Sequence, residues 1–193
     1  MKVVLCGPSH SGKSCLREGL KQVIQGLHRK GQAPYPFFIT ACPDGEGSWY
    51  AETVRRDPVL AEKLKKNYKS KFTWKFAQKV ANDVQNTSLS FNLIDVGGRI
   101  DDKNRLIMQY ATHAVILSRD VNLVPEWEQF CSELKLKTIA ILQSDLEGVE
   151  DKLETEIPIL KGSIHGLKRG EDVSTRPMVQ KLAEVLVRLS QEV

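Results

Sequence analysis

The run Gly7-Pro8-Ser9-His10-Ser11-Gly12-Lys13-Ser14 has the spacing G-x-x-x-x-G-K-[ST]. Each constrained position has a chemical reason. Glycines let main-chain N–H groups curl toward phosphate oxygens, and the start of a following helix adds the positive end of its dipole. The Lys13 ammonium is then placed to meet the β- and γ-phosphates of a nucleoside triphosphate, and the Ser14 hydroxyl to reach Mg²⁺. The expected phosphate cradle is Gly7, Ser9, His10, Ser11, Gly12, Lys13, Ser14 and Cys15. The alternative is a glycine turn that only joins two elements. Val3-Val4-Leu5-Cys6 before the run reads as a strand, and the stripe Leu16, Leu20, Val23, Ile24, Leu27 after it as a helix, which is the context a phosphate loop requires.

Leu89-Ser90-Phe91-Asn92-Leu93-Ile94-Asp95 is a second apolar strand, ending in a carboxylate. That pattern sets an acid beside the magnesium of a bound nucleotide, so Asp95 joins Ser14 as a metal ligand and Lys13 as a catalytic candidate. Val96-Gly97-Gly98 follows, completing D-x-x-G. These two motifs resemble those of the P-loop NTPase superfamily, and D-x-x-G is similar to the switch segment of GTPases and related dimerising ATPases. The resemblance implies that the Gly98 N–H contacts the γ-phosphate and that its loop moves when that phosphate leaves. On the residues alone, Asp95 also reads as a strand-end cap, Gly98 as a simple turn, and Arg99 as either a phosphate contact or a solvated charge.

Guanine-specific members of that superfamily carry [NT]-K-x-D after a later strand. The corresponding place here reads Gln143-Ser144-Asp145-Leu146, with the Asp but neither the Asn nor the Lys. ATP is therefore expected ahead of GTP, and Asp145 equally reads as an Asx turn. Further acids follow the second strand, in Cys42-Pro43-Asp44-Gly45-Glu46-Gly47-Ser48-Trp49-Tyr50. Ligands gather at the carboxyl ends of parallel strands, so Asp44 and Glu46 are candidates to orient an attacking water, take a proton from a substrate hydroxyl or help hold Mg²⁺; the other reading is a solvated turn. In Gly162-Ser163-Ile164-His165-Gly166-Leu167-Lys168-Arg169-Gly170, Lys168 and Arg169 either bring positive charge to a transferring phosphoryl group, in this chain or across a homodimer, or are loop charges. Arg55 and Arg56 are further candidates.

The pairing of Cys42-Pro43-Asp44-Gly45-Glu46-Gly47-x-Trp49 with Gly166-Leu167-x-Arg169-Gly170 resembles the small ATPase domain that accompanies ring-nuclease accessory proteins of type III CRISPR systems. It implies an ATP-binding partner, fused or separate, of a module that handles cyclic oligoadenylate. The sensor and arginine-finger segments of AAA+ motors, and their helical lid, are not found. Three functions stay open: a Mg-dependent ATPase or ATP-gated switch, a small-molecule or nucleotide kinase, and a GTPase-like or non-hydrolysing nucleotide-binding interaction module.

These residues need a scaffold that gathers strand ends. Apolar runs at 2–6, 36–41, 89–95, 113–118, 137–143 and 157–164 alternate with helical spacing at 13–28, 51–66, 74–85, 102–110, 125–134 and 176–190. Such alternation predicts an α/β fold of P-loop NTPase type, a three-layer sandwich with a mostly parallel sheet and helices on both faces. At 193 residues one domain is expected, with an inserted helical segment at about 44–86. A net charge of +4 does not call for nucleic acid, and the one basic run, Lys63 to Lys79 with Tyr68, Phe72, Trp74 and Phe76, reads as a solvated helix face or an anionic-partner surface. Four scattered cysteines form no C-x-x-C pair, and no apolar run is long enough to span a bilayer. With no signal-peptide pattern at Met1, the expectation is a cytoplasmic protein with reduced thiols.

Overall fold

The computed structural model describes residues 1–43 and 72–192. Among the described residues seven strands form one sheet: β1 (Lys2–Cys6), β2 (Pro36–Thr40), β3 (Phe91–Asp95), β4 (His113–Ser118), β5 (Lys137–Asp145), β6 (Lys152–Thr155) and β7 (Leu160–His165), in the order β2-β3-β1-β4-β5-β7-β6. All neighbours are parallel except β6, which pairs antiparallel with β7 at one edge. The α-helices among the described residues are α1 (Lys13–Arg29), α2 (Trp74–Asn86), α3 (Asp102–Met108), α4 (Val124–Glu133) and α5 (Pro177–Gln191).

Strand β1 shows why the sheet is covered twice. Val3 and Leu5 belong to a core under α1 and α5, which presents Leu16, Leu20 and Ile24 from one and Val179, Leu182 and Leu186 from the other. Val4 and Cys6 point the opposite way, into a second core with Ala77, Val80, Ile107 and Phe130 from α2, α3 and α4. A strand with both faces dry reads as an unbroken apolar run, which is how β1, β3 and β4 appear in the sequence. The expected three-layer α/β sandwich is the observed architecture.

Element ends follow local chemistry. Helix α1 stops where Gly31 adopts φ 72 and the N–H groups of Gly31 and Gln32 cap the carbonyls of His28 and Leu27. Thr73 caps α2 through the Phe76 N–H, and Asp101 caps α3 through the Asn104 N–H. Differences from expectation sit at exposed edges: β6 is unforeseen because all four of its residues are exposed and leave no apolar alternation, and β7 begins at Leu160 because Ile157 lies in solvent. The expected helix at 51–66, and so most of the expected insertion, lies outside the described residues; α2 is its described part. Among the described residues, no helix is long and apolar enough to cross a membrane.

Candidate functional site

The carboxyl ends of β1, β2, β3, β4 and β7 open into one crevice of about 510 Å³. Its floor is the loop between β1 and α1. Gly7 holds φ 129, and a Cβ there would stand 2.0 Å from the Leu117 carbonyl oxygen. Gly12 holds φ 83 with Leu167 pressed against it, and His10 also takes a left-handed turn at φ 64. These conformations wrap the loop around the start of α1, whose N-cap is Gly12, with no side-chain cap and no acidic residue in its first turn. That helix end is a positive pole facing the crevice.

Of the residues named for the cradle, Ser9, His10, Ser11, Gly12, Lys13, Ser14 and Cys15 line the crevice; Gly7 lies beneath it, shaping the loop. The Ser11 hydroxyl is buried, and among the described residues no group bonds it. An orphaned polar atom in a cradle of main chain fits a site that takes oxygen-rich ligands. Lys13 is only 8% exposed, and its ammonium donates to the carbonyls of Gly7 at 2.8 Å and Pro8 at 2.7 Å. The side chain expected to meet phosphate thus also braces the loop that would hold it.

On the facing wall, Asp95 ends β3 and leads into Gly98, and both line the crevice. Gly98 packs directly on the phosphate loop: a Cβ would lie 2.3 Å from the Ser9 nitrogen, and the Ser9 hydroxyl donates to the Gly98 carbonyl at 3.2 Å. Asn104, fully buried on α3, donates to the carbonyls of Gly97 and Arg99 and so fixes this segment from behind. Among the described residues, no group of three or more His, Cys, Asp or Glu could hold a metal by itself. Ser14 and Asp95 suit a Mg²⁺ that brings most of its ligands as water and phosphate, which is the usual habit of that ion.

Lys168 and Arg169 emerge after β7 and line the crevice, where the sequence expected cations. Asp145 does not line it; its Oδ1 accepts from the N–H groups of Glu147 and Gly148, the Asx-turn alternative. Asp44, Glu46, Trp49, Tyr50, Arg55, Arg56 and the basic residues from Lys63 to Lys71 lie outside the described residues. Cys6 and Cys131 are buried with their sulfurs 3.7 Å apart, and this contact together with burial pushes the Cys6 thiol well above its ordinary pKa. Cys15, named in the expected cradle, and Cys42 instead line the crevice.

Sequence reasoning missed Arg17, Phe72, Lys103, Asn104 and Arg119. Arg119 follows β4, and the rule that ligands gather at strand ends would have found it. Lys103 donates to the Phe72 carbonyl at 2.7 Å and sits 5.2 Å from its ring centroid, a contact between distant segments that no spacing announces.

No protein-family model matches the sequence and no curated protein matches it. Among solved structures, the chain is similar to a Borrelia burgdorferi B31 protein assigned to plasmid partition and bound to AMPPNP, with TM-score 0.61, 12% identity and coverage of 100% of this chain and 99% of that one. It is also similar to the septum site-determining protein MinD of Pyrococcus horikoshii OT3 complexed with Mg-ADP, with TM-score 0.58, 12% identity and coverage of 99% and 95%. The cell division ATPase MinD of Pyrococcus furiosus gives TM-score 0.58 at 12% identity, over 97% of this chain and 99% of that chain. The chain shares the P-loop α/β fold of these proteins.

Proposed function

We propose that this chain binds ATP with Mg²⁺ and works as an ATPase or ATP-gated switch. The observation that carries the reading is the loop from Gly7 to Ser14 at the mouth of β1, wrapped by Gly7 and Gly12 around an uncapped helix start and holding the orphaned Ser11 hydroxyl. The AMPPNP and Mg-ADP of the similar structures support a nucleotide and its metal in this fold. ATP is favoured over GTP because the Asp145 oxygen that a guanine reading would need is engaged in its own turn.

In this proposal the main chain around Ser11 to Cys15 and the Lys13 ammonium hold the phosphates. Ser14 and Asp95 would hold Mg²⁺, which when bound draws charge from the phosphates and lowers the barrier to γ-phosphoryl transfer. The Gly98 segment senses the γ-phosphate from the facing wall, and Arg169 with Lys168 supplies positive charge from the β7 side, within one chain or across a homodimer. Asp44 or Glu46 orients the attacking water. The sequence resemblance carried by residues 42–49 and 166–170 supports a role for the chain as an ATPase partner of a cyclic-oligoadenylate-handling CRISPR module.

The test is binding of ATP and GTP with Mg²⁺, followed by phosphate and ADP release with and without added nucleotides and cyclic oligoadenylates. Release with ATP alone, lost in Lys13→Ala and reduced in Asp44→Ala or Glu46→Ala, is expected. Release only when an acceptor is added would make the chain a kinase, binding without release a sensor module, and absence of binding would refute the proposal.

A further inference from the structure

One buried ion pair at the crevice floor is not accounted for by phosphate binding. Arg17 stands one helical turn after Lys13, on the same face of α1. Its side chain is 10% exposed, with Nη1 3.7 Å from Asp95 Oδ2 and donating to Thr40 Oγ1 at 2.9 Å; Nη2 is 4.0 Å from Oε2 of the half-exposed Glu18. Thr40 and Asp95 are register partners at the ends of β2 and β3, so one guanidinium bridges both strand ends below the crevice.

A guanidinium loses much hydration on burial and stays there only against an opposite charge. Asp95, whose side chain is 7% exposed, is an opposite charge beside it, and Arg17 in turn offsets part of the desolvation cost of that carboxylate. A divalent cation approaching Asp95 therefore meets a fixed positive charge behind the carboxylate. The described residues hold no cage of three or more acidic, His or Cys ligands to offset this repulsion. Nucleotide phosphates do offset it, because they bring both oxygen ligands and negative charge.

We propose that Arg17 is a built-in counter-ion of Asp95 that makes entry of a divalent cation conditional on nucleotide phosphate. It is a positioning residue that acts through Asp95, and the inference rests on Asp95 being the carboxylate of the metal site. The consequence is an order of events: the bare protein ignores Mg²⁺, and metal arrives with the nucleotide. Arg17 also holds Asp95 and Thr40 in register until then.

The experiment is a titration of the full chain with Mg²⁺ alone, and then with Mg²⁺ plus a non-hydrolysable ATP analogue, reading the thermal unfolding midpoint and bound metal by calorimetry. The wild-type midpoint should be indifferent to millimolar Mg²⁺ alone and rise when the analogue is present. Arg17→Met, which removes the charge, should unfold earlier yet respond to Mg²⁺ alone, with metal affinity tighter by at least about tenfold. Arg17→Gln, which keeps a donor for Thr40 without the charge, serves the same purpose if the Met variant does not fold, and Arg17→Lys should restore wild-type indifference. Neutral variants as unresponsive to bare Mg²⁺ as the wild type would overturn the counter-ion, as would a wild type that binds bare Mg²⁺ as tightly as they do. Asp95→Asn separates the two layers: if it leaves the Mg²⁺ response in the presence of analogue intact, the metal-site reading fails and this inference with it. If it abolishes that response while Arg17→Met has no effect, only the counter-ion is lost.

Discussion

Replacing Gly98 by Ala tests the site where its two walls touch. The new Cβ would stand 2.3 Å from the Ser9 nitrogen and 2.5 Å from its Cα, where ordinary contact begins near 3.4 Å. The obstacle is main chain of the phosphate loop, so no rotamer change relieves it, and the two walls must part by about 1 Å. A misplacement of about 1 Å in a catalytic constellation lowers turnover on the order of a hundredfold. That factor corresponds to about 2.7 kcal/mol of activation free energy, at 1.36 kcal/mol per tenfold. The assay is steady-state phosphate release from ATP, with analogue affinity and the thermal midpoint measured on the same preparations. Gly98→Ala should lose about two orders of magnitude in kcat, with a much smaller change in the midpoint because residues 98 and 99 are not part of either core. Turnover within a few-fold of wild type would refute the claim that contact between Gly98 and the phosphate loop sets the catalytic geometry.

Lys13→Ala should abolish nucleotide binding and also destabilise the nucleotide-free protein by about 1–3 kcal/mol, because two hydrogen bonds from a charged donor to Gly7 and Pro8 disappear; urea unfolding without nucleotide checks this, and unchanged stability would contradict the bracing role. Leu20 is fully buried between α1 and the sheet, so Leu20→Ala should cost about 2–5 kcal/mol in the same measurement while leaving nucleotide affinity in the folded fraction intact. Burial, followed by the charges of Lys137 and the N-terminus, lowers the pKa of His113 below 6.5. The unfolded chain then binds the proton more readily than the folded one, so this contribution to stability is present above pH 6.5 and is lost as pH falls through the window below it. His113→Gln should flatten that part of the stability profile; an identical slope in the variant would exclude His113 as its source.

Legibility in the sequence tracked the distance between interacting residues. The loop from Gly7 to Ser14 was readable because its contacts are local: Lys13 returns to Gly7 and Pro8, and the preceding strand and following helix are contiguous with it. Asp95 was readable for a similar reason, as the polar end of a run buried on both sides. Asp145 was only half readable, since the same residue type serves a base contact or a turn, and the choice depended on which way the chain left β5. Phe72 with Lys103, and Asn104 behind Gly97 and Arg99, were invisible because their partners come from other elements or from backbone that only the fold brings near.

By itself the sequence determined the α/β class, the glycine-rich loop at the end of β1, and the carboxylate at the end of β3, because hydrophobic periodicity and motif spacing encode short-range geometry. Tertiary structure alone decided the strand order β2-β3-β1-β4-β5-β7-β6, which seats β1 between β3 and β4 and so sets Asp95 across from the phosphate loop. It alone also brought Arg17 of α1 to Asp95 of β3. A buried charge must find its partner through space, and the chain's linear order carries no term for that pairing.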